Sequence, residues 1–344
     1  MSRLAPLDKA LVLILVPLWI VCLTLTVRTQ VRGGGKVLLG VSVEDSGSYP
    51  VLTGQFSRVF HASDPLAEAG LRAADRLIKL GGADLLGANS VDVFVRSIEE
   101  GGRDLRVPLV FERDGERLET SLRLVPASQG LPMMFVSFAF AVSGLFLLLR
   151  GRPTPMVRAY FYYAMCQGII PGSLVPGRLF YPWLGLFFLS NLIQPWLMIR
   201  FAFLFPDSRA PRGWWHQVWP WALGIPTGFL TLFFFSGHVR TAELAFTGAW
   251  AATLVATLGV ATYKYRGADR IARRQMKWVV AGAYCGLLPA VIVGVLNALD
   301  PRIGGLWFPG LGFSMLLPLS LVISVLRFNL FDIDRILSAT ASYN

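Results

Sequence analysis

"ALVLILVPLWIVCLTLTV", Ala10–Val27, decides the class of this protein. The run holds no charged residue, and its length is close to the ~20 residues that a helix needs to cross a hydrocarbon core. Arg3 and Lys9 precede it, which is also the layout of a signal peptide. It is long for the apolar core of such a peptide, however, and no A-x-A site stands before Arg28, so the reading is an uncleaved membrane anchor.

The bulk composition agrees. Of 344 residues 54% are hydrophobic and 15% charged, and the mean hydropathy is +0.55, outside the range of soluble domains. The formal charge is +11, from 32 Lys+Arg against 21 Asp+Glu. In a soluble protein that excess would suggest nucleic acid. In a membrane protein it pools in cytoplasmic loops, and no nucleic-acid partner is expected.

Downstream of a polar stretch, apolar spans follow in quick succession: Leu131–Leu149, Val157–Val175, Leu179–Phe205, Val218–Phe235, Ala242–Tyr263, Trp278–Leu299 and Leu306–Leu326. With the anchor they make about eight transmembrane helices by the ~20-residue criterion. The loop after the second span carries Arg150, Arg152 and Arg158, and that after the fourth carries Arg209 and Arg212. "KYRGADRIARRQMK", Lys264–Lys277, follows the sixth, whereas the alternate loops hold only Arg178, Arg240 and Arg302. This asymmetry places both termini in the cytoplasm and the polar stretch outside, which in a bacterium means the periplasm or cell exterior. Trp and Tyr gather in "GWWHQVWPW" and "YPW", as in an aromatic belt. Prolines inside the spans are expected to kink helices rather than end them.

The polar stretch has its own pattern. In "RVFHASDPLAEAGLRAADRLIKLGG", Arg58–Gly82, a strand leads to a turn at Asp64-Pro65, a short helical turn ending at Gly70 and a second strand, Arg76–Leu80. "SVDVFVRSIEEGG" then spaces Val91, Phe94, Val95 and Ile98 as a helical face that stops on glycines. Leu105, Val107, Leu109 and Phe111 alternate, Asp114-Gly115 turns the chain, and Leu118, Leu122 and Leu124 resume the alternation, which reads as a β-hairpin.

The order and wording of this stretch resemble a bacterial PDZ domain, whose signature is close to "SPAAEAGLxxGDxIxxxNG". "DPLAEAGLRAADRLIKLGG" keeps most of it, with Ala74 in place of the usual Gly and Gly81 in place of the Asn. The resemblance implies a groove between a strand near Phe56–Phe60 and the helix Ser90–Glu100. There an extended peptide would add to a sheet edge. Leu52, Gly54, Phe56, Val91 and Val95 are its candidate residues, and the loop Tyr49–Phe56 would supply the amides. That loop lacks a Gly-Leu-Gly-Phe pattern, and a folded spacer that packs on the bundle or pairs protomers is the other reading. The fold class is therefore an α-helical polytopic membrane protein with an inserted small α+β PDZ-like domain. Residues 1–36 form the anchor and linker, 37–126 the inserted domain, 127–326 a seven-helix membrane domain and 327–344 a cytoplasmic juxtamembrane helix.

Catalytic chemistry finds little support. The three histidines are His61, His216 and His238. No HExxH is present, so a zinc metalloprotease lacks its ligands, and no metal site is expected. A Ser–His intramembrane protease would need His within the bundle, whereas these fall in the polar stretch and in loops. Cys22, Cys166 and Cys285 lie apart in apolar runs and read as small hydrophobes. Arg200 is the intramembrane charge singled out, near enough to a boundary to snorkel. Asn191 and Gln194, three apart, read as a polar seam between helices. A small-molecule transporter or a membrane scaffold with an interaction domain is the alternative function.

Three further motifs, "RFAFLFPD" (Arg200–Asp207), "RRQMKWVVAG" (Arg273–Gly282) and "LRFNLFDIDRILSATASY" (Leu326–Tyr343), resemble in this order the multispan sensor module of bacterial histidine kinases. In the competence-type kinases of that group a PDZ-like segment also follows the first span. "LFDID" matches fully, and Ser338–Tyr343 departs from "NRTLVY". The resemblance implies a receptor for a peptide or small apolar ligand, working as a homodimer among membrane lipids. Leu330, Phe331, Asp332, Ile333 and Asp334 would begin the signalling helix. Leu326, Leu330, Ile333 and Leu337 form a coiled-coil-like seam; an amphipathic helix lying on lipid is the other reading of this strip. No phosphoacceptor or nucleotide box stands in the chain, so no cofactor is expected in it. ATP and Mg, with a response regulator as partner, enter only if a kinase domain follows Asn344. The same membrane modules also precede nucleotide cyclases and phosphatases, so the resemblance leaves the output chemistry open.

Overall fold

In the computed structural model, described residues are 4–32, 35–43, 47–57, 64–101, 104–126, 131–150, 153–169, 180–206, 208, 213–235, 237–300, 303 and 306–328. The chain begins with helix α1 (Pro6–Arg32), enters a small sheet unit, and continues into a helical bundle.

The sheet unit comprises strands β1 (Gly35–Lys36), β2 (Leu39–Ser42), β3 (Val51–Phe56), β4 (Arg76–Leu80), β5 (Ala83–Asp84), β6 (Arg106–Arg113), β7 (Glu116–Arg123) and β8 (Val125–Pro126), with helices α2 (Pro65–Glu68) and α3 (Ser90–Glu100). Strand order in its main sheet is β2-β3-β4-β6-β7, with β5 on β4, and β1 pairs with β8. The β6–β7 hairpin runs from Arg106↔Arg123 to Arg113↔Glu116, and Asp114 and Gly115 turn it with φ of 54° and 81°, the left-handed pair that a tight hairpin turn requires. Both short helices start on the side chains the sequence offers. Asp64 accepts from the N–H groups of Leu66 and Ala67, with Pro65 in the first turn. Asn89 and Asp92 form a reciprocal capping box. The strand expected near Arg58 falls on residues 58–63, outside the described ones; β3 ends at Phe56.

Leu77, Leu80, Leu85, Leu109 and Leu122, each at most 1% exposed, anchor this unit's own core. Burying a side chain of this kind contributes about 1.5–3 kcal/mol, so alternation alone specifies which sheet face is inside. A bidentate pair locks the β4 entrance. Arg113 Nε and Nη2 donate to Asp75 at 2.7 and 2.6 Å, the Arg72 N–H donates to the same carboxylate at 2.7 Å, and Arg113 also reaches the Gly70 carbonyl at 2.9 Å. Burial alone would raise the Asp75 carboxyl, but the Arg113 and Arg72 hydrogen bonds overcome it and hold it below the usual range.

The bundle comprises α4 (Leu131–Arg150), α5 (Pro155–Ile169), α6 (Phe180–Leu204), α7 (Trp215–Val218), α8 (Trp221–Phe233), α9 (Val239–Gly267), α10 (Arg270–Leu299), α11 (Trp307–Gly312), a short 3₁₀ turn (Phe313–Met315) and α12 (Leu316–Phe328). Six segments among the described residues are long and apolar enough to cross a membrane: in α1, α4, α6, α9, α10 and the stretch Pro309–Leu326. This is a multi-pass helical membrane protein. The spans expected at Val157–Val175 and Val218–Phe235 correspond to α5, of 15 residues, and α8, of 13. At 1.5 Å per residue these are about 22 and 20 Å long, short of a ~30 Å hydrocarbon core. Residues 170–179, which would complete the first, lie outside the described ones.

Helix α1 is stitched to the bundle at two levels. Trp19 Nε1 donates to Ser137 Oγ at 3.0 Å, and Ser137 donates to the Gly168 carbonyl at 2.6 Å. Near its start, buried Asp8 pairs with Arg158 at 2.9 Å and accepts from the Tyr162 hydroxyl at 2.9 Å.

Candidate functional site

Helix α3 decides how the two parts meet. It is apolar on more than one side, and both sides are used. Val93 belongs to the sheet core. Phe94, Val95 and Ile98, with Leu38 just ahead of β2, belong to the hydrophobic core of the bundle. The Phe94 ring lies 5.3 Å from that of Phe180 at the start of α6 and 5.6 Å from that of Phe235 after α8. Polar contacts surround this apolar joint. Thr53 Oγ1 donates to the Gly237 carbonyl at 2.7 Å, Gln55 Oε1 accepts from the Arg240 N–H at 3.2 Å, and the Tyr181 hydroxyl donates to Asp92.

This docking bears on the groove expected between Phe56–Phe60 and α3. The strand beside α3 is β2, not β3: Ser90 Oγ donates to the Val41 carbonyl at 3.2 Å, and Ser97 Oγ accepts from Val37 N–H at 3.2 Å. Leu52 and Phe56 are core residues of the sheet unit. Gly54 has φ +73° and a Cβ there would sit 3.2 Å from that of Ala73. Val91 and Val95 pack on the bundle side. Leu52 and Phe56 thus sit in the sheet core and Val91 and Val95 against the bundle, while residues 58–60 of the expected strand lie outside the described ones. Lys36, next to Val37, is 2% exposed, and burial pushes its amino group down to about 7.

Under the joint lies a cavity of about 210 Å³. Leu38, Ser57 and Phe94 of the sheet unit roof it, and residues of α5, α6, α9, α10 and the 3₁₀ turn form its walls. Phe187 stacks on Trp183 at 4.9 Å and Phe246 meets Phe234 edge-on at 5.1 Å, so much of the wall is aromatic. Three polar atoms on this lining are buried with no hydrogen-bond partner among the described residues: Trp183 Nε1, Ser57 Oγ and Ser314 Oγ. An unmet donor in such surroundings costs about 1–3 kcal/mol. One charged pair borders the space. Glu243, 1% exposed, meets Arg240 Nη1 at 3.3 Å, and Arg240 Nη2 donates to the Asn297 carbonyl at 3.3 Å.

No family model matches the chain, and neither a curated protein nor a solved structure does. The site is therefore read from its own geometry.

Of the remaining expected residues, Asn191 and Gln194 both face inward from α6. Asn191 accepts from Trp250 Nε1 of α9 at 3.3 Å and donates to its own helix at Phe187 O, 2.8 Å away; Gln194 Nε2 donates to Gln167 Oε1 of α5. Arg200 lays its guanidinium over the Trp196 ring, 4.9 Å from the centroid. Leu330, Phe331, Asp332, Ile333 and Asp334 lie outside the described residues. Among the described residues no cluster of His, Cys, Asp or Glu is arranged to hold a metal. Sequence reasoning missed Glu243 and took Arg240 for an ordinary loop charge. The signal was a Glu three residues after an Arg at the mouth of a span, the spacing of a helical ion pair.

Proposed function

We propose that this chain is the sensing module of a bacterial two-component-type receptor, embedded in the inner membrane with the sheet unit outside and both termini in the cytoplasm. The charge asymmetry of the short loops supports that orientation, with α5 and α8 as the short members of an eight-crossing path. The sheet unit is read as PDZ-like from its sequence signature and its strand–helix order. The observation that carries the sensor reading is the shared joint. Phe94 of the sheet unit is packed between Phe180 and Phe235 of the bundle, above a cavity walled by both parts. A molecule entering there favours one docking of the two parts over another, and differential affinity is all a ligand can contribute. The change would pass along α12 towards Leu330–Asp334 and a partner helix in a homodimer. A small apolar ligand suits this arrangement better than a peptide, because Ser90 already bonds the Val41 carbonyl of β2 and the shared cavity is walled largely by apolar and aromatic side chains.

A disulfide lock tests the coupling. A Cβ built on Gly237 lies 3.0 Å from Thr53 Cγ2, so the Thr53→Cys/Gly237→Cys pair is within reach of the ~3.5–4.5 Å Cβ separation a disulfide needs. In the full-length gene product, output is measured before and after reduction: phosphorylation with ATP and Mg if a kinase reads on from Asn344. The expected result is output frozen when oxidised and restored by reductant. Identical output in both states would refute the coupling, and a stop codon directly after Asn344 would remove the receptor reading.

A further inference from the structure

The cavity specifies the chemistry of its occupant, and this inference holds whether or not binding there is transmitted. We infer that it is a binding site for a neutral, mainly apolar molecule of roughly eight to ten non-hydrogen atoms bearing one oxygen acceptor: an alcohol, ketone or ester. Size comes from the volume. An engineered apolar cavity of ~150 Å³ takes up benzene, and 210 Å³ scales to a molecule about two-fifths larger. The oxygen follows from the unmet groups. Trp183 Nε1 can only donate, so it requires an acceptor, and the hydroxyls of Ser57 and Ser314 can donate as well.

Neutrality follows from the ion pair. A carboxylate in the cavity would meet the Glu243 carboxylate. An ammonium would have to compete with Arg240, which is held by Glu243 and by the Asn297 carbonyl at 3.3 Å each. Ser57 belongs to the sheet unit, Trp183 to α6 and Ser314 to the turn before α12, so the unmet groups on the lining come from three separate elements.

The test uses the full chain in phospholipid nanodiscs and a diazirine-bearing octanol as photoprobe, with labelled residues mapped by mass spectrometry. Saturable labelling is expected in Trp183–Phe187 and Phe246–Trp250. A tenfold excess of 1-octanol or 2-octanone should reduce it at least fivefold, and octanoate or octylammonium at the same concentration should not. Trp183→Phe keeps the ring packing and removes the N–H, and should weaken competition by 1-octanol about tenfold. Ala251→Phe fills the cavity and should abolish the competed label. The inference is overturned by label confined to lipid-facing residues, by equal competition from the charged analogues, or by label that survives Ala251→Phe. A phospholipid acyl chain cross-linked at these positions and retained against 1-octanol would also overturn it, since the occupant would then be the bilayer itself. Labelling as expected with output unchanged by octanol would refute the sensor reading alone.

Discussion

Removing the Phe94 ring should undock the sheet unit while leaving it folded. In Phe94→Ala the lost burial of a side chain 4% exposed amounts to about 2–3 kcal/mol. The ring pairs with Phe180 at 5.3 Å and Phe235 at 5.6 Å add about 0.5–1.5 kcal/mol each. The sum, about 3–6 kcal/mol, overlaps the ~3–5 kcal/mol of measured Phe→Ala losses in cores. The lower end is the better expectation, because the ring already borders a cavity and half its surroundings can relax. A loss of ~3 kcal/mol raises the open population roughly 150-fold. Hydrogen exchange on the full chain reads this directly. The Arg240 amide, bonded to Gln55 Oε1 at 3.2 Å across the joint, should exchange about two orders of magnitude faster. The Leu77 amide, bonded to the Pro50 carbonyl at 2.8 Å inside the sheet unit, should keep its rate within a few-fold. An unchanged Arg240 amide would refute the joint. Equal acceleration of both amides would make Phe94 an ordinary core residue of the sheet unit.

Three further outcomes concern the sheet unit and are read by pulse proteolysis of the full chain. Ala74 has φ +71°, where an L-residue carries ~1–2 kcal/mol of strain; after the greater unfolded-state freedom of Gly is deducted, Ala74→Gly should stabilise by about 0.5–1 kcal/mol. Asp75→Asn removes the carboxylate that Arg113 and the Arg72 N–H hold and should destabilise the unit, by less than the loss of a fully buried pair because the Arg113 side chain is 23% exposed. Since folding depresses the Asp75 carboxyl, its contribution is present above the ordinary value of 3.8 and is lost as pH falls below it; Asp75→Asn should remove that part of the acid sensitivity. Lys36 is held down to about 7 against an ordinary 10.5, so the unfolded chain binds the extra proton between these values and stability should rise with pH across that window. Lys36→Met should be more stable at pH 7 and flat over the same range; a wild-type curve without the rise would refute the buried-amine account.

Much was legible in the chain itself. Composition and apolar run length determined a multi-pass helical protein, because a bilayer rejects exposed backbone and charge whatever the packing. The local grammar of Asp64-Pro65, Asn89–Asp92 and Asp114-Gly115 determined the small helices and the hairpin, because caps and turns are satisfied within a few residues. The site was not legible in this way. Alternation marks Phe94, Val95 and Ile98 as apolar but is silent on whether they face the sheet or another part of the chain, and only docking assigns them to the bundle. Arg240 and Glu243 look like a loop charge and a stray acid until α9 pairs them and sets Arg240 against the Asn297 carbonyl of α10. Which strand lies beside α3 is likewise a long-range matter: Ser90 of the helix meets the Val41 carbonyl of β2, 49 residues away in sequence, and no local pattern announces it. Short-range hydrogen bonding and solvent exclusion are written residue by residue, whereas a cavity exists only where distant surfaces meet and fail to fill the space between them.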